Sequence, residues 1–269
     1  MKLLKSLLWL PLAVACAGPD VDDEGNAPSA DLQVAQSPVI VGQVDWVSST
    51  TLSGDQAARA RAVGYLSIPA ARSRCTAWMV GPDLLITNNH CIGRASQAKG
   101  AQVSFNYEDG VASGARTWYD CSTFVATWKA EDMTALRCKA GANGVLPGVA
   151  QGYLDIAKTD APAAAPLYVV HQNCDYYAES GCVPTKKLSP GKVTNVAYDA
   201  LNIAYDADTL GGSSGSPVLG AAGTATAHQV IALHHWGLGG DSSGRGTGNA
   251  GVKASALRAR LGSLLPAGH

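Results

Sequence analysis

Charge is scarce in this chain. Only 15% of its 269 residues are Asp, Glu, Lys or Arg, and the net charge is −1. So neutral a chain gives no support for nucleic-acid binding, and no such partner is expected. Glutamate is rarest among the charged types: Glu24, Glu108, Glu131 and Glu179 stand against seventeen Asp and twenty Lys plus Arg. No Lys or Arg occurs between Lys5 and Arg59. No internal repeat is visible, which sets aside repeat architectures. The apolar stretch from Leu7 to Ala15 is far too short to span a bilayer. Neither Cys-x-x-Cys nor His-x-x-x-His spacing occurs, so no local zinc signature is present.

Long helical periodicity is also scarce. Many short apolar runs are punctuated by Gly, Pro and Asp, the pattern of an all-β barrel fold. The length suits one domain with a large core. Basic Met1–Lys5 followed by the apolar stretch to Ala15 reads as a secretory signal over residues 1–15. There are seven cysteines, and in an exported chain the odd one needs an explanation. Cys16 follows small residues and resembles the lipid-modified cysteine of bacterial lipoproteins, although Ala13 stands where such sites prefer Leu. Cleavage after Ala15 or Ala17 by an ordinary signal peptidase is the alternative. Residues 16–36 are acidic, with no apolar periodicity, and read as a tether or pro-segment. The folded domain is expected over 37–269. Near its end, Ala254, Leu257, Leu261 and Leu264 recur at helical spacing and predict an amphipathic helix over 252–265.

The densest signal is Gly211-Gly212-Ser213-Ser214-Gly215-Ser216-Pro217. Glycines around a serine let the backbone turn tightly and aim its N–H groups outward. Those of Gly212 and Ser214 are the expected oxyanion hole, a donor pair for the charge that builds in acyl transfer. A second signal is Cys75-Thr76-Ala77-Trp78-Met79-Val80-Gly81-Pro82-Asp83-Leu84-Leu85-Ile86-Thr87-Asn88-Asn89-His90-Cys91, two apolar runs around a Gly-Pro-Asp turn, read as a hairpin that delivers His90. A third, weaker one is Asp132 entering the apolar run Met133–Leu136.

Taken together, the order is His90, Asp132, Ser214. In this order and these settings the chain resembles the chymotrypsin-like serine peptidases, from about residue 60 to the C-terminus. It looks most like the bacterial branch of glutamyl and lysyl endopeptidases, through Leu85–Cys91, Asp132–Leu136, Asp208–Val218 and Val230–His234. Ser213 departs from the Asp that animal trypsins carry before the nucleophile. The resemblance implies two packed six-stranded antiparallel β-barrels, about 59–150 and 151–251, with the active site between them. It implies Ser214 as nucleophile, His90 as general base and Asp132 as the group orienting His90, with no cofactor and with protein or peptide substrates. Ser213→Ala is expected to be mild. A Cys75–Cys91 bridge would match the family, and its loop of about 15 residues is worth roughly 3 kcal/mol. Cys121, Cys138, Cys174 and Cys182 allow three pairings. The local pairs Cys121–Cys138 and Cys174–Cys182 are expected, with a zinc site as the alternative.

Substrate selection is expected from Asp208 and Thr209, at the pocket floor, and from His234, His235, Trp236 and Gly237 along one wall. In the glutamyl endopeptidases the positions of Thr209 and His234 bind the substrate carboxylate. In a comparison with trypsin, Asp208 falls where an acid selects Lys or Arg. Cleavage after Glu is the first expectation and cleavage after Lys or Arg the second. His171 is read as structural and His228 as a surface residue. An α/β-hydrolase esterase fits poorly, since that fold needs Asp and then His after its serine, and only Asp241 and terminal His269 follow. A non-catalytic module on a peptidase scaffold is the third class. An exported monomer is expected, touching membrane only through a lipid on Cys16.

Overall fold

A computed structural model describes residues 37–266. The expected signal segment, the lipid site at Cys16 and the acidic segment 16–36 lie outside the described residues. Fourteen strands form two antiparallel sheets among the described residues. The first holds β2 (Val63–Ile68), β3 (Ser73–Met79), β4 (Leu84–Thr87), β5 (Gln102–Ser104), β6 (Tyr119–Asp120), β7 (Thr123–Trp128) and β8 (Met133–Arg137). The second holds β1 (Val47–Ser48), β9 (Pro166–Gln172), β10 (Lys186–Asn195), β11 (Asn202–Tyr205), β12 (Pro217–Gly220), β13 (Val230–Leu238) and β14 (Gly248–Lys253).

The second sheet is a closed six-stranded barrel in the order β10-β11-β14-β13-β12-β9, because β9 also pairs with β10. Two-residue β1 lies along β10. The first sheet runs β6-β5-β2-β3-β4-β8-β7 and is more open, with β6 and β7 at its edges. The architecture is chymotrypsin-like, as the resemblance implied. It differs from two six-stranded barrels in detail: each sheet has a seventh strand, β1 in the second, and the first sheet is not closed into a barrel.

Most strands are buried on both faces, and in β3 and β4 alternate residues enter different apolar clusters. One apolar cluster joins the two sheets, with Trp78, Ile86 and Ala135 of the first packed among residues such as Val169, Tyr205 and Leu233 of the second. A smaller cluster fills the first sheet around Leu66, Met79, Val103 and Leu136. The C-terminal helix, Ala254–Leu261, buries Ala254, Leu257 and Leu261. Leu264 falls in a following 3-10 turn, Gly262–Leu264, and is only partly covered. Cys75–Cys91, Cys121–Cys138 and Cys174–Cys182 are bonded, the expected local pairs, which leaves none of the six as a thiolate for zinc.

Candidate active site

Strand register brings His90 to Asp132. The Gly81-Pro82-Asp83 turn folds β3 onto β4, and β4 pairs with β8 so that Thr87 faces Thr134. The chain leaving β4 and the chain entering β8 therefore meet at one end of the sheet. Asn88 Nδ2 donates to the Asp132 carbonyl at 2.8 Å, and Thr134 Oγ1 donates to the Ile92 carbonyl at 2.7 Å. Asp132 adopts the left-handed conformation, with φ of 42°. Its Oδ2 lies 2.7 Å from His90 Nδ1, and its Oδ1 accepts the His90 N–H at 2.9 Å. With Nδ1 bearing the proton toward the carboxylate, His90 Nε2 keeps a lone pair.

Burial would push the Asp132 carboxyl up, but contacts with His235 and His90 outweigh it and hold the group well below the usual carboxylate range. His235 Nδ1 is 3.4 Å from the same Oδ2.

The Ser214 loop is pinned from the first sheet. Thr76 N–H donates to the Ser214 carbonyl and Thr76 Oγ1 donates to the Gly212 carbonyl, both at 2.9 Å. Arg74 Nη2 donates to the Gly211 carbonyl at 3.1 Å, while the Gly211 N–H donates to Tyr176 Oη at 3.3 Å. Only glycine fits at two points of this loop. Gly212, at φ 108°, would drive a Cβ into the Arg74 guanidinium, and Gly215, at φ 86°, would drive one into the Thr76 carbonyl. Ser214, His90 and Asp132 line one cleft of about 580 Å³, together with Ser37, Pro38, Asn89, Lys129, Gly211, His235 and Trp236.

Ser213 has an unexpected setting. It is fully buried, and its Oγ contacts Asn173 Nδ2 and His171 Nδ1, each at 2.9 Å. A hydroxyl so placed is a structural node and faces away from the cleft. His171 is structural as expected. His228 is half-buried rather than at the surface, 2.9 Å from Tyr168 Oη through its Nδ1.

The specificity candidates separate into two groups. Asp208 is 1% exposed, and its carboxylate accepts the N–H groups of Val41 at 2.7 Å and Asp45 at 3.0 Å. Thr209 Oγ1 donates to Asn249 Oδ1 at 2.7 Å. His234 is buried, with Nδ1 2.5 Å from Tyr205 Oη and Nε2 without a partner. Burial pushes the His234 imidazole well below its ordinary value, so it is neutral. Trp236 lines the cleft and stacks on His235 at 3.7 Å. The Ser37 carbonyl lies directly over Gly237, and Val39 is bound through Asn249 and the Thr209 N–H. The segment Ser37–Val41 therefore builds part of this wall.

Sequence reasoning missed Arg74, Thr76, Tyr176, Asn249 and the Ser37–Val41 segment as site components. Arg74 and Thr76 flank Cys75 in the hairpin, but that place carries no signal of their contacts with the Ser214 loop.

Comparison with known proteins agrees with this fold. Among solved structures, a Glu endopeptidase in complex with MPD superposes with a TM-score of 0.60 at 20% identity, covering 84% of this chain and 98% of that one. The inactive form of the Rv3671c protease superposes with a TM-score of 0.52 at 15% identity, covering 78% of this chain and 91% of that one. At such identities the likeness is one of fold. A secreted RxLR effector protein of Plasmopara viticola is 29% identical over 176 residues, which are 61% of this chain and 41% of the effector. An uncharacterized protein of Sinorhizobium fredii is 27% identical over 238 residues, 77% of this chain and 32% of its own length. The chain thus spans less than half the length of these curated relatives. Residues 75–227, the stretch that holds His90, Asp132 and Ser214, match the trypsin-like peptidase domain, and the chain belongs to that family.

Proposed function

We propose that this peptidase is an exported serine endopeptidase that cleaves after glutamate. Ser214 attacks the scissile carbonyl, and His90 Nε2 takes its proton and later returns it to the leaving amine. Asp132 holds the imidazole in the tautomer this transfer needs and stabilises the imidazolium. The Gly212 and Ser214 N–H groups receive the oxyanion. The observation that carries the reading is the 2.7 Å contact from His90 Nδ1 to Asp132 Oδ2 in the cleft that Ser214 also lines. Export draws support from the three disulfides, which suit an oxidising compartment, and from the amino-terminal pattern. Attachment through Cys16 remains part of the proposal.

The preference for glutamate rests on which side chains are already engaged. Asp208 spends both carboxylate oxygens on backbone N–H groups, so it offers little to a Lys or Arg side chain. His234 Nδ1 lies 2.5 Å from Tyr205 Oη, whose proton has a second acceptor in the Ala250 carbonyl at 3.4 Å. In the tautomer where the phenol donates to Nδ1, His234 Nε2 is a buried N–H without a partner, which suits a carboxylate acceptor.

Cleavage-site profiling of a denatured protein mixture tests this, with the Ser214→Ala protein as control. Glu before the scissile bond, absent in the control, is expected. Lys or Arg there would overturn the preference, and equal cleavage by the control would overturn the peptidase assignment of Ser214.

A further inference from the structure

Gly211 and Gly212 stand just before the Ser213-Ser214 pair, and two glycines in succession leave the peptide between them free to rotate. That peptide carries the Gly212 N–H, one of the two donors of the oxyanion hole. Being planar and trans, it points its N–H opposite to its C=O, so whatever holds the Gly211 carbonyl aims the Gly212 donor. Arg74 holds it. Its Nη2 donates to the Gly211 carbonyl at 3.1 Å, and its Nη1 donates to the Gln172 carbonyl at 3.2 Å. The second donor is aimed from within the loop, because the Ser213 carbonyl accepts the Ser216 N–H at 3.0 Å. Among the described residues neither the Gly212 N–H nor the Ser214 N–H has a hydrogen-bond partner, so both are open to a substrate oxygen.

Strand β3 delivers this contact. Arg74 and Thr76 are two apart on the strand and share one of its faces, and both reach the Ser214 loop. Cys75, between them, faces the other way and is tied to Cys91. The Arg74 side chain is half-buried among the phenols of Tyr65, Tyr107 and Tyr176, and no carboxylate among the described residues forms an ion pair with it. A guanidinium without an acid partner places its full charge on the carbonyls it binds. Gly211 is fixed at its other end as well, its N–H donating to Tyr176 Oη at 3.3 Å. Tyr176 lies in the loop closed by Cys174–Cys182.

We infer that Arg74 is a positioning residue, holding the Gly211–Gly212 peptide so that the Gly212 N–H faces the reacting carbonyl. The inference rests on the reading of Ser214 as nucleophile. A charged donor on the Gly211 oxygen also polarises that peptide and strengthens its N–H as a donor. Both effects grow with the negative charge on the substrate oxygen. They therefore act in the transition state and little on the bound substrate. Without Arg74 the peptide is free to turn its carbonyl toward the cleft, where that oxygen would repel the developing oxyanion.

The test combines three measurements on the full chain: steady-state kinetics on the peptide anilide that cleavage profiling selects, affinity for the matching peptide boronate, and the NMR signal of the Gly212 amide. Arg74→Met keeps an unbranched stem and removes the donors. It should lower kcat about 10- to 100-fold with KM within about 2-fold, a smaller loss than removal of a whole oxyanion donor. Boronate affinity should fall by a similar factor, because the bound boronate places an oxygen in the hole. The Gly212 amide signal, single and sharp in the wild type, should broaden or split. Arg74→Lys keeps the charge and one donor, and should recover most of the loss. If the Met variant does not fold, Arg74→Gln, neutral and shorter, carries the same expectation. A loss confined to KM overturns the inference. So does a lowered melting temperature with kcat, boronate affinity and amide signal unchanged, which is what a merely structural role would give. A wild-type chain that cleaves nothing would instead overturn the triad reading, and the Gly212 amide signal, which needs no substrate, would still judge Arg74.

Discussion

Ser213 and Ser214 are neighbours with opposite duties. Ser214 opens onto the cleft, while Ser213 turns inward to Asn173 and His171. His171 is fully buried between Ser213 Oγ and Ser189 Oγ, at 2.9 and 2.8 Å. Burial, helped by the Lys187 charge, pushes its imidazole down to about 3. In the unfolded chain a histidine titrates near 6.5, so between these values the unfolded state binds more protons. This contribution to stability is therefore complete above pH 6.5 and is lost as pH falls toward 3. From pH 7 to pH 5 the loss from His171 is about 2 kcal/mol. Asp208, raised to about 6 mainly by burial, acts in the opposite sense, gaining as pH falls. The difference between wild type and His171→Gln isolates the histidine. Urea unfolding at pH 7 and pH 5 should show the variant less sensitive to acid by about 2 kcal/mol, and equal sensitivity would refute the assignment. None of this was legible in the sequence, where His171 was only a histidine at the end of an apolar run. Ser214 and His90 were legible because their glycine loop and hairpin are local patterns. Asp132 was weaker, being an acid at a strand start, and gained meaning only from its order with the other two.

Elements place what single residues cannot. The β3–β4 hairpin, the acid-led β8 and the C-terminal helix could be read from turns and apolar spacing, because each signal lies within a few residues. The clamps on the Ser214 loop could not. Thr76 and Arg74 reach Gly212 and Gly211 across 136 and 137 positions of chain, and no local pattern encodes such a contact. The same holds for Ser37–Val41, which read only as the start of the domain. It is anchored through Asn249, 210 positions away from Val39, and through Asp208. Asp208 is on this account an anchor for the leading segment and not a selector of substrate. Asp208→Asn leaves one amide N–H facing a backbone N–H, a mismatch that should cost about 1–3 kcal/mol. Thermal melting should register that loss while the residue preferred before the scissile bond stays the same. A change of preference at unchanged stability would return Asp208 to the role of selector.

Over the whole molecule, two sheets share one apolar core and divide the site between them. The first supplies His90, Asp132 and the Thr76 and Arg74 contacts, and the second supplies the Ser214 loop, His234 and His235. Catalysis on this account needs both halves in register, which the shared core and the Thr76 bridge provide. The central claim is that Ser214 is the nucleophile this arrangement activates. Labelling of the intact chain with a fluorophosphonate, followed by peptide mapping, tests it most directly. The account predicts one modified residue, Ser214, with labelling abolished in Ser214→Ala and slowed at least 100-fold, to order of magnitude, in His90→Ala. A label on Ser213, or no labelling of the folded wild-type chain, would contradict it.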